Sequence, residues 1–205
     1  MVEVADTYKT IDSPAEGIYK EKGSKFLAKA YPVRTEEQVK AIVEQLKEEY
    51  YDARHHCYAY ILGPKGDKWR ANDDGEPSGT AGKPIHGQLL SFNLTNVLVV
   101  VIRYFGGTKL GVSGLINAYK TATHDALTNA KIITRTVDAI YSVTFGYTMM
   151  NEVMRLAKDL NLQLLEQQFD NTCIIRVRIR RSLEGEFLSR CSKIEGLIAD
   201  FEFED

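Results

Sequence analysis

The run Val97-Leu98-Val99-Val100-Val101-Ile102 is apolar at every position and almost entirely β-branched. A segment apolar on both faces predicts a strand buried at the centre of a sheet. The same run is far too short to span a bilayer, and no membrane association is expected.

Helices are predicted around that strand. Thr35-Glu36-Glu37-Gln38 reads as a capping box, and Val39, Ile42, Val43, Leu46 and Tyr50 follow at helical spacing, so 35–50 is an amphipathic helix. Leu115, Ala118, Tyr119, Ala122, Ala126 and Leu127 mark a second helix over 113–129. Pro84 suits the first turn of a helix running to about Phe92. Strands are expected at 8–11, 17–22 and 26–33, and at 55–62, where His56, Tyr58, Tyr60 and Leu62 alternate with His55, Cys57, Ala59 and Ile61. Residues 63–83, rich in Gly, Pro, Asp and Lys, are expected to form one long loop, and loops of that size are functional or disordered.

The C-terminal part has its own pattern. A strand within 137–145, a helix near 153–160, strands at 162–169 and 172–180, a helix near 183–194 and a last strand at 197–204 give the order βαββαβ, a ferredoxin-like arrangement. The stretch 131–145 is too long for one strand, which places a boundary near Arg135 and two domains at 1–135 and 136–205. The expected class is α+β. A chain of 205 residues is comfortable for two small domains, and 44% hydrophobic with 26% charged residues are globular values.

Three widely spaced cysteines without a CxxC pair argue against disulfides and structural zinc and fit a reducing compartment. With no basic-then-apolar leader at the N-terminus, a cytoplasmic protein is expected. A net charge of −2 carries no nucleic-acid signal, so any such argument rests on local patches.

Two glycine-lysine segments stand out. The first is Asp74-Gly75-Glu76-Pro77-Ser78-Gly79-Thr80-Ala81-Gly82-Lys83-Pro84, the second Arg103-Tyr104-Phe105-Gly106-Gly107-Thr108-Lys109-Leu110-Gly111. Each sets glycines and a lysine just before a predicted helix, whose N-terminus offers unpaired N–H donors and partial positive charge. Gly79, Thr80, Gly82, Lys83, Arg103, Gly106, Gly107, Lys109 and Gly111 are therefore candidates to hold a phosphate or carboxylate. The other reading of these glycines is tight turns and close helix–strand packing. The first segment is not a Walker A loop, because Pro77 and Pro84 stand where that loop needs Gly and a metal-binding hydroxyl. Asp73, Asp74 and Glu76 are acidic candidates for acid–base or metal work, or turn carboxylates paired with nearby cations. The adjacent His55 and His56 point to opposite strand faces; no metal site and no cofactor are expected.

Arg176, Arg178 and Arg180 alternate with Ile175, Val177 and Ile179. The isoleucines and valine face a core, and the arginines form a row on the opposite face. That row either meets RNA or pairs with Asp200, Glu202 and Glu204. Tyr58 and Tyr60 could stack bases on their sheet face or lie under a helix.

The two glycine-lysine segments resemble those of the IMPACT family, in its bacterial two-domain YigZ-type form. The resemblance implies a first domain like that of a small-subunit ribosomal protein, with a left-handed βαβ crossover, and a second like a domain of translation elongation factor G. It also implies a role near translation: eukaryotic relatives restrain an initiation-factor kinase by competing for its ribosome-associated activator. They use a further N-terminal domain that the present chain is expected to lack. The expectation is a non-enzymatic, translation-associated binding protein that contacts RNA or a ribosome-linked partner. Two alternatives stand beside it: an enzyme acting on a small phosphorylated or carboxylated ligand at the same loops, and a protein–protein regulator. The sequence does not give the oligomeric state.

Overall fold

The computed structural model describes residues 6–204. They form two compact units, one of residues 8–135 and one of residues 136–204 with Asp6 and Thr7. The class is α+β. Among the described residues no helix is long and apolar enough to cross a membrane.

Apart from the end residues Thr7 and Thr136, the first unit contains, in chain order, β1 (Thr7–Ile11), β2 (Ala15–Glu21), β3 (Ser24–Pro32), α1 (Glu36–Glu49), β4 (His55–Leu62), β5 (Lys68–Asn72), α2 (Gly82–Ser91), β6 (Val97–Tyr104), α3 (Gly111–Asn129) and β7 (Ile132–Thr136). Five of the strands make an antiparallel sheet in the order β2-β3-β6-β4-β5, and β1 pairs with β7. The all-apolar run forms β6 at the sheet's centre. Its alternation divides the core: Leu98, Val100 and Ile102 meet Val39, Val43 and Leu46 of α1 on one face. Val97, Val99 and Val101 meet Leu89 of α2 and Ala118, Tyr119 and Ala122 of α3 on the other.

Thr35 caps α1 as its sequence predicts, its hydroxyl accepting from the Gln38 N–H at 3.3 Å. Gln38 differs from the expected box: its side-chain oxygen accepts from the Arg34 N–H, one residue before the cap, at 2.7 Å. The expected long loop also contains β5, which pairs with β4 from Tyr58↔Asn72 to Leu62↔Lys68. Lys-Trp-Arg-Ala-Asn does alternate, with Trp69 and Ala71 between polar residues, but the pattern is only five residues long, lies among loop-forming residues, and leaves Trp69 55% exposed. Its charges suit a sheet edge, where they discourage pairing with other chains.

The second unit runs β8 (Asp138–Gly146), α4 (Met150–Asp159), β9 (Gln163–Gln168), β10 (Thr172–Arg180), α5 (Glu184–Cys191) and β11 (Ile198–Glu204). The sheet order is β11-β8-β10-β9, all neighbours antiparallel. That is the ferredoxin-like βαββαβ fold. Val153 and Leu156 of α4 and Phe187 of α5 pack on Ile175, Val177 and Ile179.

Candidate anion-binding site

The period-2 rule that buries Val97, Val99 and Val101 puts Arg103 on the same face, as the polar end of an apolar row. Its register partners are Phe26 on β3 and His55 on β4. The guanidinium lies 5.5 Å from the Phe26 ring and 5.7 Å from that of Phe105. Arg103 is only 6% exposed.

Glu76 joins the two glycine-lysine segments. Its Oε1 accepts from Arg103 Nη1 and from the Tyr119 hydroxyl, the latter at 2.8 Å. Cys57 Sγ lies 3.3 Å from that hydroxyl oxygen and 3.0 Å from the Asp73 carbonyl. Burial raises the Tyr119 phenol and the Cys57 thiol, so both keep their protons at neutral pH. His55 Nδ1 lies 2.8 Å from the Asp74 carbonyl. A carbonyl can only accept, so Nδ1 carries a proton and neutral His55 has its lone pair on Nε2, 4.0 Å from Glu76 Oε1.

Arg54, His55, Glu76, Pro77 and Arg103 line one side of a cleft of about 450 Å³. Phe105, Lys109, Leu110, Gly111, Val112 and Leu115 line the rest. No side chain caps the N-terminus of α3, so its first N–H groups lie at the cleft without a side-chain acceptor. Arg103 Nε is buried and finds no acceptor in the protein. A buried donor without a partner is costly; Arg103 lines the cleft, while its Nε is enclosed behind it.

The first segment is arranged differently. Asp73 accepts from the N–H groups of Gly79 at 2.8 Å, Ala81 at 3.0 Å and Gly82 at 2.8 Å. The donors at the start of α2 thus hold the protein's own carboxylate. Burial works to raise the Asp73 carboxyl, but these N–H groups and the nearby Lys83 outweigh it and keep it below the usual range. The contribution is present above the ordinary Asp value and is lost as pH falls through the depressed one. Thr80 is buried and donates to the Pro77 carbonyl at 2.6 Å. Asp74 accepts from the His56 N–H at 2.7 Å and pairs with Lys47.

Two glycines are explained by close approach. A Cβ on Gly82 would lie 2.6 Å from the Asn72 nitrogen, and one on Gly106 would lie 1.9 Å from the Gly23 carbonyl carbon. Gly106 also donates its N–H to Ser24 Oγ at 3.1 Å. Gly107 is exposed beyond this contact, between Gly106 and Lys109.

The other sequence candidates lie elsewhere. Tyr58 and Tyr60 are covered by α1, and Tyr60 donates to Glu36 at 2.6 Å. In the second unit, Arg176 pairs with Glu202 at 2.7 Å and Glu166 at 3.1 Å. Arg178 donates to Gln163 at 3.2 Å. Arg180 pairs with Asp6 at 2.7 Å, and Glu204 holds Arg181 instead. A variant with all three arginines changed to Gln is therefore expected to fold as the parent does and to lose at most a few degrees of thermal midpoint by circular dichroism, because exposed pairs contribute little.

Sequence reasoning singled out Arg103 and Lys109 but missed the parts played by His55, Tyr119 and Asp73. The strand parity of 55 with 57, 59 and 61 was the available signal for His55. None existed for Tyr119, which reads as an ordinary core position of α3.

The model of the Impact N-terminal domain matches residues 22–127. The chain is 32% identical over 160 residues to the IMPACT family member YvyE of Bacillus subtilis (strain 168), covering 78% of this chain and 74% of that protein. It is 30% identical over 180 residues to the IMPACT family member YigZ of Escherichia coli (strain K12), covering 87% and 88%. A crystal structure of a hypothetical protein, 27% identical, superposes with a TM-score of 0.76 over 98% of this chain and 100% of the other.

Proposed function

This chain belongs to the IMPACT family, and from that premise we propose that it is a translation-associated binding protein whose first unit takes an RNA phosphate in the Arg103–Lys109 cleft. The observation that carries the reading is that Arg103 and Lys109 line one cleft with the N-terminus of α3, which no side chain caps. Helix N-termini and guanidinium forks are the standard recognition elements for phosphate oxygens. Lys109 adds a mobile full charge at the rim. The Asp73 cradle leaves the first segment a supporting role: it holds Glu76 in place rather than the ligand.

Lys109→Ala tests this directly, since Lys109 is exposed and its removal leaves the fold intact. Single-stranded RNA should bind more weakly to the variant, and the slope of log K against log salt should flatten by about 0.7, the value for one phosphate contact on a single strand. Lys83→Ala should leave the slope nearly unchanged. An unaltered slope in Lys109→Ala would remove the cleft from the RNA contact.

The enzymatic alternative draws on His55, whose Nε2 lone pair lies near Glu76 at the cleft. It requires turnover of a phosphorylated ligand that vanishes in His55→Ala while binding persists.

A further inference from the structure

We propose that the cleft is selective for the terminal phosphomonoester of a nucleotide, and not for the phosphodiesters within a strand. This rests on the reading of the cleft as a phosphate site and names the group that enters it.

Depth is the first argument. Arg103 is 6% exposed, flanked by its cross-strand partners Phe26 and His55 and bonded to Glu76. A phosphodiester carries an ester chain on both sides and cannot lower its oxygens to a group so recessed. A terminal phosphate projects from one side only and can.

Charge is the second. The lining carries Arg54, Arg103 and Lys109 against Glu76, an excess of two positive charges when His55 is neutral. A phosphomonoester brings about −1.5 to −2 at pH 7. A phosphodiester or a carboxylate brings one negative charge and leaves a cation without its match in a partly desolvated cleft, which is unfavourable.

The remaining surface is the third. Phe105 is 46% exposed and, with Leu110 and Val112, forms an apolar wall beside the charged floor. An exposed aromatic ring next to a phosphate site is suited to stack a base. His55, at the cleft, offers its Nε2 as a hydrogen-bond partner for a ribose hydroxyl. The volume of about 450 Å³ suits a single small ligand, here one nucleotide.

The test compares one short single-stranded RNA with a 5′-phosphate, with a 3′-phosphate, or with hydroxyls at both ends, using the full chain and its Lys109→Ala variant. Phosphate at one end should tighten binding by about tenfold or more, the effect of an added charge-assisted hydrogen bond. Lys109→Ala should erase most of that preference. Competition by adenosine monophosphate separates the sources: displacement at similar concentration identifies a free mononucleotide, and failure to displace identifies an RNA end. Equal binding of all three RNAs, still weakened by Lys109→Ala, would overturn the terminal-phosphate proposal and leave the RNA reading standing. Binding of adenosine monophosphate with no RNA bound would keep the proposal and discard the RNA reading. No binding of any probe would overturn both.

Discussion

Glu76→Ala is expected to destabilise the first unit by about 3–5 kcal/mol, the usual penalty for removing one partner of a buried ion pair. Arg103 would keep its charge at 6% exposure with its carboxylate gone, and the Tyr119 hydroxyl would lose the acceptor it meets at 2.8 Å. Glu76→Gln should lose less, because the side-chain oxygen still accepts from both groups, although the Arg103 charge remains uncompensated. Urea denaturation followed by a probe of the first unit reads the difference. A Glu76→Ala midpoint within error of the parent would mean that Arg103 is not held by this pair. Added inorganic phosphate should raise the midpoint of Glu76→Ala more than that of the parent, since an anion in the cleft restores a counter-charge and binds only the folded state.

Phe26→Ala should cost a similar amount, about 3–5 kcal/mol. Phe26 is fully buried, meets Tyr119 edge-on with ring centroids 5.2 Å apart, and faces the Arg103 guanidinium at 5.5 Å. Truncation opens a cavity beneath the cleft and removes an aromatic pair that contributes about 0.5–1.5 kcal/mol beyond burial. Phe26→Leu retains most of the volume and should lose far less. Phe26 and Tyr119 touch, so a double-mutant cycle of Phe26→Leu with Tyr119→Phe should show a coupling energy rather than simple addition. Additive losses would show that the two rings act independently.

The elements legible in the sequence are those whose signal is local. Thr35 and the spacing from Val39 to Leu46 define α1 without any knowledge of its neighbours. The alternation of Ile175, Val177 and Ile179 assigns a face to β10 in the same way. The strand β5 carries only a five-residue alternation, Trp69 and Ala71 between polar neighbours, too short to stand out from the surrounding Gly, Pro and Asp; its pairing with β4 fixes it. The site divides along the same line. Arg103 falls on the face of Val97, Val99 and Val101 by parity alone. The glycine-lysine pattern at Gly82-Lys83 signals donors at a helix start, but a pattern of donors does not say which anion fills them. Asp73, nine positions before Gly82, folds back to do so. The Glu76–Tyr119 bond spans 43 positions and carries no sequence trace at either end.

The ion pair between Asp6 and Arg180 joins residues 174 positions apart, and the Asp6 carbonyl also accepts from the Val137 N–H at 2.7 Å. Translation at about 5–20 residues per second leaves roughly 9–35 s between the synthesis of Asp6 and that of Arg180. The second unit therefore incorporates residues made well before its own strands, and its assembly waits on the emergence of β10 from the ribosome.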